Sequence, residues 1–230
     1  MLSRMWVFPL AAAVVALLFA ILLLRGFLER RRPYQMLWAL AMLMYSAASL
    51  SMVLGVLDGW SSAEFRIYWL LGAILNVPYL AVGELYLILR RDNLVHAFVL
   101  GLIFLTAFAS SQVQTATVDA GHLAGDLPLG KEVFGDGSLP YRLAQYYAYP
   151  AYLLLVGGCL WSALAMRGRS HLRERFLGTL WIAVGATVVA AASGIGAGFE
   201  IVPLFSVGLA GGIALMFWGF LMASRRQPAI

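Results

Sequence analysis

Cysteine and lysine each occur once in this 230-residue chain and histidine three times, and each of these scarcities closes off a line of chemistry. Cys159 alone forms no intramolecular disulfide, and one thiolate cannot assemble a cysteine-based zinc or iron–sulfur site. There is no HExxH helix, no GxSxG turn and no clustered set of carboxylates, so no catalytic residue, metal or cofactor is expected. Charge is scarce as well: charged residues make up 12% of the chain against 62% hydrophobic ones, and the mean hydropathy is +0.85. Soluble domains do not carry that balance, whereas bilayer-spanning chains do.

What is abundant is the long apolar run. About 20 apolar residues cross about 30 Å of hydrocarbon at about 1.5 Å per residue. Seven stretches satisfy that length, at about 6–24, 34–56, 66–89, 95–113, 144–166, 176–197 and 201–223. The first reads as a helix rather than a signal peptide, because its run is long, lacks a convincing cleavage site and precedes a basic stretch. Alternate sides of the spans hold twelve and four basic residues. The richer side, with Arg30-Arg31-Arg32, Arg90-Arg91 and Arg225-Arg226, is cytoplasmic, which places the N-terminus outside and the C-terminus inside. The pI near 9.6 is then an orientation signal, and no nucleic acid is expected as a partner. His96 falls at the cytoplasmic end of the fourth span, and His122 and His171 in loops on opposite sides, so no pair clamps a haem in mid-membrane. Arginine outnumbers lysine fifteen to one beside abundant alanine and glycine. That is the bias of a GC-rich, prokaryotic genome, so the expected location is the cell (inner) membrane.

The long outer loop, 114–143, is rich in glycine and aspartate and suits a lid, a binding element or a tether. Tyr141, Tyr146, Tyr147 and Tyr149 lead from it into the fifth span as an interfacial aromatic belt. The chain also repeats itself. Phe8-Pro9 matches Tyr149-Pro150, Arg25-Gly26 matches Arg167-Gly168, and Leu37-Trp38 matches Leu180-Trp181. Further along, Ala47-Ala48-Ser49 matches Ala191-Ala192-Ser193, Phe65-Arg66-Ile67 matches Phe199-Glu200-Ile201, and Arg90-Arg91 matches Arg225-Arg226. These landmarks divide one seven-helix transmembrane domain, 1–230, into a first three-helix unit at 5–91 and a second at 144–226. Helix 95–113 is an inverting linker between them, so the two repeats run parallel.

This 3+1+3 plan resembles the SWEET sugar transporters and their PQ-loop relatives over the whole chain, at the level of topology. Pro9 and Pro150 match the paired prolines on which such helices bend, although Leu10 and Ala151 stand where the Pro-Gln dipeptide would put glutamine. The resemblance implies a carrier with a solute site between the two units. A rhodopsin-like pigment is excluded, because the sole lysine, Lys131, lies in the outer loop and no Schiff base with retinal can form in the seventh helix.

Within the spans, Glu84 is the ionisable residue that stands out. A charged carboxylate at bilayer centre costs roughly 2.5–3.5 kcal/mol, so it must face protein, water or a partner, or hold a proton. Two readings are open for it: a proton-coupling or solute-binding acid, or one half of an ion pair with Arg90 six residues away. Asn76, Pro78 and Tyr79 sit in the same span, with Asn76 and Glu84 within about 80° on one helical face. Tyr45, Ser46 and Ser49 in the second span, Gly157 and Gly158 in the fifth, Thr187 in the sixth and Ser206 in the seventh lie at comparable depths. Such residues also join helices in membranes. Arg66 and Glu200, equivalent in the repeat, are expected to meet as a latch on the outer side.

These features lead to the expectation of an all-α membrane protein acting as a small-solute transporter or solute-binding protein with a midplane cavity. Asn76, Tyr79, Tyr45 and Ser46 would contact the solute and Glu84 would tune charge or take a proton. The alternative is a receptor-like or accessory subunit of a membrane complex, joined to a membrane-protein partner or a second copy of itself.

Overall fold

The computed structural model describes residues 6–89, 92–124, 127–196 and 202–224. Each apolar run becomes a helix, and the first five helices are longer than the runs that mark them. The seven are α1 (Val7–Arg30), α2 (Pro33–Asp58), α3 (Ser62–Ile88), α4 (Asp92–Thr115), α5 (Leu139–Met166), α6 (Arg173–Ala191) and α7 (Val202–Ser224). All are long and apolar enough to cross a membrane, and no strand occurs among the described residues. The extensions have a physical cause: a helix that stopped at the edge of the hydrocarbon would leave its terminal carbonyls and N–H groups unpaired there. Because α4 runs to Thr115 and α5 begins at Leu139 rather than near 144, the loop between them shortens to 116–138.

Local sequence sets the turns. Arg31 closes α1 in the left-handed region (φ 52°), donating its N–H to the Phe27 carbonyl at 2.7 Å, and Pro33 opens α2 in the first helical turn, where its missing N–H costs nothing. On the other side Gly59 (φ 87°) ends α2. Ser61 and Glu64 then form a reciprocal cap at the start of α3, with the Ser61 N–H donating to Glu64 Oε2 at 2.8 Å and the Glu64 N–H to Ser61 Oγ at 3.2 Å. Inside α3 the residues Tyr68–Leu75 widen into a π-helical stretch that ends at Asn76, two residues before Pro78. Pro78 has no N–H with which to close an α-turn on Ile74, and the widening lies immediately before it.

Six helices close a ring. α1 packs on α2, α2 on α3, α3 on α5, α5 on α6 and α6 on α7, and α7 returns to α1, while α4 lies outside against α3 and α5. Its outer face carries Leu100 and Phe104, 69% and 71% exposed, as a lipid-facing helix requires. The α6–α7 seam is built from glycine. Gly178 and Gly185 on α6 face Gly219 and Gly212 on α7. A β-carbon on Gly185 would lie 2.5 Å from the Gly212 carbonyl oxygen, and one on Gly219 2.5 Å from that of Gly178. Apolar side chains gain little by leaving lipid for a neighbouring helix, so close backbone approach of this kind is what holds spans together. At the α7–α1 seam the Phe19 ring packs against Phe217 and Phe220, with centroids 5.3 and 4.9 Å apart.

Candidate functional site

Glu84 is 1% exposed, on the last full turn of α3 before Ile88. It faces α5. The absence of a side chain at Gly158 makes the room, since a β-carbon there would lie 2.7 Å from Glu84 Cγ and 2.5 Å from Ile88 Cδ1. One turn further along α5, the Ser162 hydroxyl lies near the Glu84 carboxyl, and so does the Cys159 thiol. No cation pairs with Glu84 among the described residues. Arg90, the candidate partner, lies outside them. The site is therefore a carboxyl on one helix, received by glycine, cysteine and serine on the next.

Asn76, Tyr79, Tyr45 and Ser46 are buried too, but they look elsewhere, whereas Gly157 and Thr187 are exposed. Asn76, 4% exposed, donates from Nδ2 to the Ala41 carbonyl of α2 at 2.6 Å. Tyr79 and Thr106 of α4 share a hydrogen bond between their hydroxyls at 3.2 Å. Tyr45 donates from α2 to the Leu209 carbonyl of α7 at 3.0 Å, and Ser46 from α2 to the Ala13 carbonyl of α1 at the same distance. Asn76, Tyr79 and Glu84 thus address α2, α4 and α5 respectively, and the polar lane expected along α3 is divided among three neighbours. The Ser206 hydroxyl is fully buried without a partner among the described residues.

Arg66 spends its guanidinium on the end of α4, donating to the carbonyls of Val113, Gln114 (3.0 Å) and Ala116 (2.7 Å). Those are the acceptors that a helix C-terminus leaves open, at its negative end. Glu200, the other half of the expected latch, lies outside the described residues. No protein-family model, curated protein or solved structure matches this chain.

Ser162 escaped the sequence reading, and Trp38 entered it only as a landmark of the repeat. Ser162 follows Gly158 by four residues, one helical turn, so the two share a face, and a hydroxyl one turn from a glycine in an apolar helix was the available signal. Trp38 donates from Nε1 to the Leu80 carbonyl at 3.0 Å and lies across Gly83, which fixes α2 against the half of α3 that carries Glu84. Nothing in a tryptophan within an apolar run distinguishes such a crosslink from a lipid-facing ring.

Proposed function

We propose that this chain is a proton-linked carrier of a small solute, built from two parallel three-helix units, α1–α3 and α5–α7, with its N-terminus outside and Glu84 as its intramembrane acid. The observation that carries the proposal is the position of Glu84: buried at the α3–α5 seam, where one unit meets the other, with the Ser162 hydroxyl beside it and no described cation. Repeat-built carriers bind at such seams, and an intramembrane carboxyl kept at a cost marks an ion or proton path by default. The opposite seam, α7–α1, is lined by Phe19, Phe217 and Phe220 and offers no such group among the described residues.

The repeat rests on contact register as well as on sequence landmarks. Ala48 of α2 abuts Gly72 of α3, and Ala192 abuts Gly208 of α7; Ala41 meets Asn76, and Gly185 meets Gly212; Trp38 meets Gly83, and Trp181 meets Gly219. From one unit to the other the first partner advances by 143 or 144 positions and the second by 136 each time. Three contacts repeated at fixed offsets favour one helix-pair design used twice, as in the SWEET-like plan. A prokaryotic inner membrane fits the arginine-rich composition.

Hydrogen bonding favours a second reading. Asn76, Tyr79, Tyr45 and Ser46 are all engaged in helix-to-helix bonds, which suits an accessory subunit whose polar groups serve only to hold it together. Purified protein screened for ligand-dependent thermal shifts across small solutes at pH 5 and pH 8 separates the two. A carrier gives at least one shift that depends on pH, and Glu84→Gln removes the pH dependence while melting within a few degrees of wild type. No shift with any solute, or a Glu84→Gln variant that loses most of its stability, favours the subunit. Orientation has its own check. On a Cys159→Ser background, Ser170→Cys stays unlabelled by an impermeant maleimide added outside intact cells; rapid labelling there would reverse the topology.

A further inference from the structure

Among the described residues, the loop between α4 and α5 is folded. Its first half forms a turn at Ala120–Leu123, capped by Asp119, which accepts from the Gly121 N–H at 2.9 Å and lies 3.0 Å from His122 Nδ1. Those two contacts hold the Asp119 carboxyl below the usual carboxylate range. The second half forms a short helix, Gly130–Val133, joined to the first by the Asp119 N–H donating to the Val133 carbonyl at 2.9 Å. Leu123, Leu129, Val133 and Phe134 are buried beneath it.

Three residues on one turn of α3 grip this loop. Phe65 packs on Phe134, with ring centroids 5.4 Å apart. Arg66 holds the carbonyls at the end of α4, where the loop begins. Trp69 does the rest: its Nε1 donates to the Pro140 carbonyl at 3.0 Å, where the loop ends, its ring lies under Gly130, and it stacks on Tyr141 at 6.3 Å. Trp69 belongs to the π-helical stretch Tyr68–Leu75. A π-bulge carries one residue more than an α-turn, so its loss or migration rotates whatever precedes it by about 100°. Phe65, Arg66 and Trp69 cannot turn through that angle and keep their grips.

We infer that the loop is a lid docked on the outer end of the bundle and released by a change of helical register in α3. The device deepens the carrier proposal, because it gives that site an outer gate worked from the helix that bears Glu84. Pro78 is what holds the register, since without an N–H it cannot draw the chain into a regular turn on Ile74.

Labelling reads the lid without any solute, so a chain that binds nothing can still pass the test and a chain that binds solutes can still fail it. In full-length protein reconstituted in nanodiscs with Cys159→Ser, Val133→Cys sets a thiol at a position 1% exposed with the lid down. The rate of its reaction with a water-soluble maleimide measures lifting. Gly130→Ala adds a methyl against the Trp69 ring from the loop side, leaves every span untouched, and is expected to raise the rate about tenfold. Pro78→Ala, deep in α3, restores the missing N–H and is expected to raise it at least about threefold with the melting temperature preserved. An unchanged rate in Gly130→Ala overturns the lid. A faster rate in Gly130→Ala with an unchanged one in Pro78→Ala overturns the coupling.

Discussion

Gly185→Leu is expected to split α6 from α7 and to cost about 3 kcal/mol or more, the upper end of what overpacking does. The size of the effect follows from what a side chain would meet there. A β-carbon at this position lies 2.5 Å from the Gly212 carbonyl oxygen and 2.7 Å from the Met216 backbone nitrogen, and neither can step aside as a flexible side chain would. The whole helix must move, and it takes the Gly178–Gly219 contact with it. In a chain of this size that corresponds to a loss of roughly 6–12 °C in melting temperature. Gly157→Leu is the control. Gly157 lies on the exposed face of α5 with nothing within 4 Å of a β-carbon, so the substitution adds a leucine to lipid and leaves the melting temperature within about 2 °C of wild type. Equal losses for the two variants would mean that the α6–α7 seam is not held by glycine contact.

The second large effect is expected at the α2–α3 seam. A side chain at Gly83 would run into the Trp38 indole, lying 2.5 Å from its Nε1 at the β-carbon alone. That ring is 3% exposed and tied by its hydrogen bond to the Leu80 carbonyl, so it cannot swing away. Gly83→Val therefore forces α2 and α3 apart at the level of Glu84 and is expected to cost about 2–3 kcal/mol. Trp38→Leu alone costs a comparable amount by leaving a void. The double variant should recover more than half of the summed loss, because the smaller side chain makes the room that valine needs. Additive losses in thermal melts would show that Gly83 and Trp38 do not share that space.

The glycines that dominate these predictions were visible in the sequence as residues but not as a seam. Gly178 and Gly185, and Gly212 and Gly219, are each seven residues apart, a spacing that returns to one face of a helix after two turns. Spacing identifies a face; it does not say which of six other helices will meet it. Glu84 shows the same division. Its presence in a span was evident, and with it the need for company, whereas Gly158 and Ser162 as that company depend on α5 docking beside α3. Asn76 and Glu84 shared a helical face on the helical wheel, yet their partners stand on α2 and α5.

The sequence by itself determined the seven spans, most of their ends and several turns, because hydropathy, the Ser61–Glu64 cap and Pro33 act within a few residues of where they stand. The tertiary structure alone decided the order of the ring, the exclusion of α4 from it, the contacts of the α4–α5 loop with α3 and the separate engagements of Asn76, Tyr79, Tyr45 and Ser46. The reason is the solvent. In water the apolar face of a helix announces which side is buried; in lipid a span is apolar all round, and which face meets which neighbour is left to close packing and single hydrogen bonds between residues far apart in the chain.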